Sequence, residues 1–199
     1  MWRIIACTLV LVGFSLPVVA EPVAMDVNHS TLGFSVPILG GISAVTGKFM
    51  DWTVELDLDP KDFTKSTFRA VIKAESVDTG ITQRDAHLRT RAFFSVRDFP
   101  EITFESTEIR GAGEGYIIVG DLTIRGNTRS VEIPTTITGI RTNEKSGRSN
   151  IAFEGHVVIN RDDFEVNYRH DMPFFIGTDV RIDLHILSKS LDFSLDALK

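Results

Sequence analysis

The sequence predicts an all-β protein in which eight antiparallel strands form one up-and-down barrel. Apolar and polar residues alternate in eight separate stretches of the 199-residue chain, as in strands with one apolar and one polar face. Short turn signals separate most of these stretches, and few residues show helical spacing. Because little helix is available to cover the apolar faces, the strands must cover one another. Long strands joined in sequence by short turns favour a barrel over a sandwich.

The predicted strands follow one another from residue 25 to residue 186. The first, about residues 25–38, places alternate apolar side chains on one face, from Leu32 to Ile38. The other seven cover residues 52–58, 68–74, 102–104, 118–124, 131–137, 151–159 and 179–186. Gly126-Asn127, between two apolar runs, predicts a tight hairpin.

Two segments, residues 79–100 and 161–178, do not alternate. In the first, the spacing of Ile81, Ala86 and Leu88 predicts short helical segments near residues 80–98, over one end of the barrel. Since the chain has no internal repeat and no linker, we expect residues 21–199 to form a single domain.

The first twenty residues have the pattern of a secretory signal peptide. Arg3 provides a positive charge, residues 4–16 are almost entirely apolar, and small residues precede a cleavage site expected after Ala20. The run is shorter than the ~20 residues that a bilayer span requires, so no membrane span is predicted. Cleavage would remove Cys7, the only cysteine, and an exported chain without disulfides favours a bacterial periplasmic protein.

Composition narrows the choice of partner. A formal net charge of -6 argues against a nucleic-acid partner, because phosphate binding needs a basic surface. The 14 Phe residues, against two Tyr and two Trp, favour dry interior surface. Eight strands can enclose a packed core or one ligand, and the pattern alone favours neither.

Five short motifs carry a resemblance to a known family. They are Arg84-Asp85-Ala86-His87-Leu88, Phe93-Phe94-Ser95-Val96, Phe99-Pro100-Glu101-Ile102-Thr103-Phe104, the stretch from Gly120 to Thr128, and Ile159-Asn160-Arg161-Asp162-Asp163-Phe164. In this order and spacing they resemble the YceI-like family of bacterial periplasmic proteins, over nearly the whole chain after residue 20. The resemblance implies a lipocalin-like barrel that holds a polyisoprenoid or similar long apolar amphiphile. It implies no enzymatic activity, and no cofactor beyond a polyisoprenoid or quinone bound as ligand.

The expected ligand contacts are the inward apolar side chains of the barrel. The candidates are Phe34, Val36, Phe68, Ile72, Phe94, Phe104, Leu122, Ile124, Phe153, Val157, Ile182 and Leu184. Burial of each CH₂ yields ~0.8 kcal/mol, so ten or more carbons give roughly 8 kcal/mol before ordering costs.

Arg84, Asp85 and His87 form the densest polar cluster beside apolar sequence, and His29 is a fourth polar candidate. They could hydrogen-bond a head group at the barrel entrance. Alternatively, Asp85 caps a short helix while Arg84 and His87 hold the loop to the barrel rim, and we favour this structural role for the cluster.

The histidine spacing predicts no metal site, since zinc-binding patterns and cysteine ligands are absent after residue 20. His156 and His185 fall on the polar phase of neighbouring strands and could share a surface cation, although a solvated outer face explains them better. His170, beside Asp171, is expected in a loop.

Three functions remain open from the sequence. The first is a carrier for a long-chain lipid such as a polyisoprenoid, an isoprenoid quinone or a fatty amide, without catalysis. The second is an enzyme that acts on an enclosed apolar substrate through Arg84, Asp85 and His87. The third is a ligand-free stress or interaction protein whose own side chains fill the barrel. Barrel closure removes exposed edges, so both monomer and homodimer fit.

Overall fold

The fold is built on one antiparallel sheet that curls into a half-barrel. The structure, a computed structural model, describes residues 22–169, 171–195 and 198; the predicted signal peptide and His170 lie outside this part of the chain. In chain order the strands are β1 (Val23–Ala24), β2 (Thr31–Ile38), β3 (Ser43–Phe49), β4 (Trp52–Asp57), β5 (Thr67–Lys73), β6 (Val77–Asp78), β7 (Glu101–Ala112), β8 (Gly115–Ile124), β9 (Asn127–Thr142), β10 (Ser149–Asn160) and β11 (Asp179–Leu187). Their order in the sheet is β1-β4-β5-β7-β8-β9-β10-β11-β2-β3-β6.

The predicted count of eight strands is wrong, because the described residues form eleven. Each predicted stretch contains a strand. β3 lies in none of them, because Val45 and Phe49 are its only large apolar residues and no alternating pattern results. The 3₁₀ turns Val27–His29 and Ala74–Ser76 interrupt the extended chain and leave β1 and β6 as two-residue strands. The eleven strands form a curled half-barrel in place of the expected eight-stranded barrel.

The predicted tight hairpin joins β8 to β9. Ile124 pairs with Asn127, and the two residues between them, Arg125 and Gly126, have φ angles of 51° and 74°. Positive φ at both central positions is the geometry that matches the right-handed twist of the flanking strands. The turn lies at Arg125-Gly126, one residue before the predicted pair.

The helical prediction for residues 80–98 is confirmed for one helix, α1 (Thr82–Leu88). The chain beyond it, to Pro100, is a series of turns. The carbonyl of Thr90 stabilises these turns, because it accepts hydrogen bonds from the amides of Phe93 and Ser95, at 3.0 Å and 2.9 Å. This segment therefore stays close to α1 before β7 begins.

The apolar faces of the strands point inward, and one end of the interior is densely packed. Leu56, Ile151 and Leu195 are 0% exposed there, and Phe63 is 1% exposed. Phe63 comes from the 3₁₀ turn Phe63–Lys65, whose start is capped by Asp62 through the Thr64 amide. This packed end leaves the hollow part of the sheet at the α1 end.

Candidate functional site

A cavity of about 520 Å³ occupies the α1 end of the curled sheet; we call it the lumen. Nine of the eleven described strands contribute to its wall. The two that do not are the two-residue strands β1 and β6. Apart from two glycines and six polar residues, every described side chain in the wall is apolar. The polar residues are Arg84, His87, Thr135, Arg161, Tyr168 and Arg169.

All twelve apolar candidates lie in the wall of the lumen. They are Phe34, Val36, Phe68, Ile72, Phe94, Phe104, Leu122, Ile124, Phe153, Val157, Ile182 and Leu184. The alternation of the strands places eleven of them there, since residues two apart share one face of a sheet, and Phe94 reaches the wall from the turns after α1. Their contact with a ligand stays a prediction.

The inner end of the lumen is closed by Phe68 and Phe153, which we call the floor. Their ring centroids are 5.7 Å apart, and the Phe63 ring lies 5.9 Å from Phe68 and 5.5 Å from Phe153. Tyr116 packs 4.6 Å from Phe63 on the side away from the lumen. These four packed rings form the boundary between the lumen and the packed end.

Four polar residues meet at the opposite end, the mouth of the lumen: Arg84, His87, Tyr168 and Arg169. The His87 ring lies 5.0 Å from that of Tyr168, and the Arg169 guanidinium lies 5.5 Å from the same ring. Arg84 donates to the hydroxyl of Thr79 at 2.6 Å and to its carbonyl at 2.8 Å. The mouth thus combines two cations with an imidazole and a phenol.

The structure places Asp85 outside the lumen wall. Its buried carboxylate accepts hydrogen bonds from the amide and the hydroxyl of Thr79, at 2.9 Å and 2.5 Å. It ties the loop before α1 to the helix but does not cap the helix start, which has Ile81 at the N-cap. Because this carboxylate faces Thr79, the geometry gives it a structural role and does not pair it with His87.

His29 also lies away from the lumen, contrary to its prediction as an entrance residue. The chain does not run extended from residue 25, and the turn Val27–His29 leaves the His29 side chain 73% exposed. Its Nδ1 lies 2.8 Å from Oδ2 of Asp26. This hydrogen bond holds the pKa of the Asp26 carboxyl below its usual value.

Arg161 is a lumen residue that the sequence reasoning did not select. It is 4% exposed and donates to the carbonyls of Gly177 at 2.9 Å, Ile176 at 3.4 Å and Val166. Burial lowers the pKa of its guanidinium, an effect that the nearby Asp162 carboxylate opposes. A signal was present, because Arg161 continues the inward phase of β10, two residues after Ile159. Tyr168 and Arg169 lie in the non-alternating segment, where no periodicity points to them.

The comparisons with known proteins agree with this geometry. A sequence profile described as the YceI-like domain matches residues 24–187. The chain belongs to the YceI-like domain family. A UPF0312 protein of Yersinia pestis (strain Pestoides F) is 36% identical to this YceI-like chain over 139 residues, which covers 70% of this chain and 71% of the relative.

Solved structures share the YceI-like fold. The Campylobacter jejuni YCEI protein superposes with a TM-score of 0.67 at 26% identity, covering 74% of this chain and 86% of its own. A polyisoprenoid binding domain from Saccharophagus degradans, implicated in plant cell wall breakdown, superposes with a TM-score of 0.62 at 15% identity. That alignment covers 86% of this chain and 100% of the neighbour. At this identity the second likeness shows the fold alone.

The outer face of this YceI-like sheet holds the two strand histidines. Glu154 lies opposite His185 across β10 and β11, with 3.3 Å between Oε1 and Nδ1, and His156 lies opposite Asp183 in the strand register. In the part of the chain that the structure describes, no group of three or more His, Cys, Asp or Glu side chains could hold a metal ion. Nor does any helix within residues 22–169, 171–195 and 198 have the length and apolar character needed to cross a membrane.

Proposed function

We propose that this protein is a periplasmic carrier that holds one long apolar amphiphile in its lumen and performs no catalysis. The ligand class is a polyisoprenoid, an isoprenoid quinone or a fatty amide. One observation carries the proposal: a lumen of about 520 Å³ is apolar along its length and gathers most of its polar groups at the mouth. An amphiphile has the same division between chain and head.

Three further points support the proposal. The Saccharophagus degradans neighbour is described as a polyisoprenoid binding domain, and that protein has the same fold. The signal-peptide pattern of residues 1–20 supports export, with cleavage near Ala20. A volume of this size is within the ~300–1,000 Å³ common for ligand pockets.

The direct test is organic extraction of the protein purified from its native periplasm, followed by mass spectrometry of the extract. We expect one prenyl or acyl species in stoichiometric amount. A blank extract, together with no uptake of added prenols and quinones, would overturn the proposal and favour the ligand-free hypothesis. Uptake can be followed as a rise in melting temperature, because a ligand of the native state stabilises it.

We further propose that Arg84 and His87 contact the head of the ligand. His87→Ala should weaken the binding of geranylgeraniol about threefold to tenfold, the effect of one lost hydrogen bond. Isothermal titration measures the change. The matched control is His29→Ala, the same substitution away from the lumen, which should leave affinity unchanged. Equal affinities for the two variants would contradict a head-group role for His87.

A further inference from the structure

We propose that the floor, Phe68 and Phe153, sets how many carbons of a ligand chain the lumen can bury. This inference rests on the proposed carrier function and makes it more specific. The depth of the lumen limits how much of a ligand chain is buried, and therefore how far a longer chain can raise the affinity.

The strands show that the lumen ends at one level. On β10, Phe153 and the inward residues after it line the lumen, whereas Ile151 does not and is 0% exposed. On β4, Val54 lines the lumen and Leu56 does not. On β8, Ile118 lines it and Tyr116 does not. The boundary is therefore a continuous layer across the sheet.

The floor is held from below by a side chain that is itself fixed. Phe63 is 1% exposed and lies within 6 Å of both floor rings, nearly parallel to Phe153 with an interplanar angle of 25°. The turn that carries it is closed by Ser66, which is 4% exposed and whose hydroxyl accepts the Asp59 amide at 3.0 Å. A ligand chain cannot push the floor down without displacing this buried layer, because interiors are close-packed.

The floor bounds the lumen of about 520 Å³ at its inner end. Affinity should therefore rise with chain length until the chain reaches the floor and should then level off, because further carbons stay outside the mouth.

The test is a titration of the wild-type protein with prenols of increasing length, from geraniol through farnesol and geranylgeraniol to longer chains. We expect the affinity to rise at least about tenfold with each added isoprene unit, because burial of each added CH₂ favours binding, and to level off once the chain reaches the floor. Phe153→Ala lowers the floor, so the affinity should level off at a longer chain than in the wild type.

Two variants complete the design. Phe175→Ala, the same substitution at an exposed position, should leave the wild-type dependence on chain length unchanged. Ala70→Phe raises the floor, because Ala70 is the next inward residue on β5 above Phe68, and the affinity should level off at a shorter chain than in the wild type. The Ala70→Phe result decides the matter if Phe153→Ala does not fold.

The outcomes separate the two proposals. If the wild-type protein binds none of the prenols in the series, the carrier proposal fails for isoprenoids. If it binds them but neither Phe153→Ala nor Ala70→Phe changes the dependence on length, the floor does not set the capacity, and only this inference is overturned.

Discussion

Arg161→Met should lower the free energy of unfolding by about 2–5 kcal/mol in the absence of ligand. The guanidinium is 4% exposed and joins the turn after β10 to the segment before β11, through the carbonyls of Val166 and Gly177. Methionine has similar length but no donor, so these carbonyls lose the hydrogen bonds that this buried side chain supplies. Each unsatisfied group costs about 1–3 kcal/mol. Urea denaturation followed by circular dichroism measures the change.

Arg148→Met is the matched control for this prediction. Arg148 pairs with Asp192 at 2.7 Å, but its side chain is 57% exposed. Exposed ion pairs contribute about 0–1 kcal/mol, so this variant should unfold close to the wild type. Similar losses for the two variants would show that the carbonyls around Arg161 do not depend on it.

Val157→Trp should reduce affinity for farnesol by about two to three orders of magnitude while the fold stays intact. Val157 lies in the lumen wall on β10, opposite Ile182 of β11. An indole there takes the place of four or five ligand carbons, at ~0.8 kcal/mol each. Because the indole fills existing space, the melting temperature without ligand should not fall. Titration and thermal unfolding of the same sample measure both effects.

The neighbouring residue provides the control. Val158 is 57% exposed on the outer face of the same strand, so Val158→Trp adds the same side chain outside the lumen. It should bind farnesol as the wild type does. Equal binding by the two tryptophan variants would place the ligand outside the lumen.

The period of two accounts for what could be predicted from the sequence. It places Phe34, Phe104 and Val157 on inward faces whatever the exact strand limits, because an inward residue stays inward along its strand. The exact strand limits depend on side chains that hydrogen-bond to nearby backbone amides and so compete with strand pairing. At residues 25–30 the Asp26 side chain accepts the Asn28 amide, and the resulting turn takes His29 away from the sheet.

Other features depend on contacts that no local pattern describes. Tyr168 and Arg169 reach the mouth because the non-alternating segment folds back over the sheet, and this path is set by Arg161 and by packing against α1. The division of the interior into hollow and filled parts could not be predicted either. Inward residues such as Ile151 and Ile159 look alike in sequence, although only the second borders the lumen.

This division separates the side chains that keep the protein folded from the side chains that shape the cavity. Side chains around Phe63 and Leu56 are surrounded on all sides, so substitutions there remove close contacts and reduce stability. Side chains that border the lumen face the cavity on one side, so a change in their size removes fewer close contacts. Substitutions in the lumen wall can therefore change the shape of the cavity while the packed end keeps the fold.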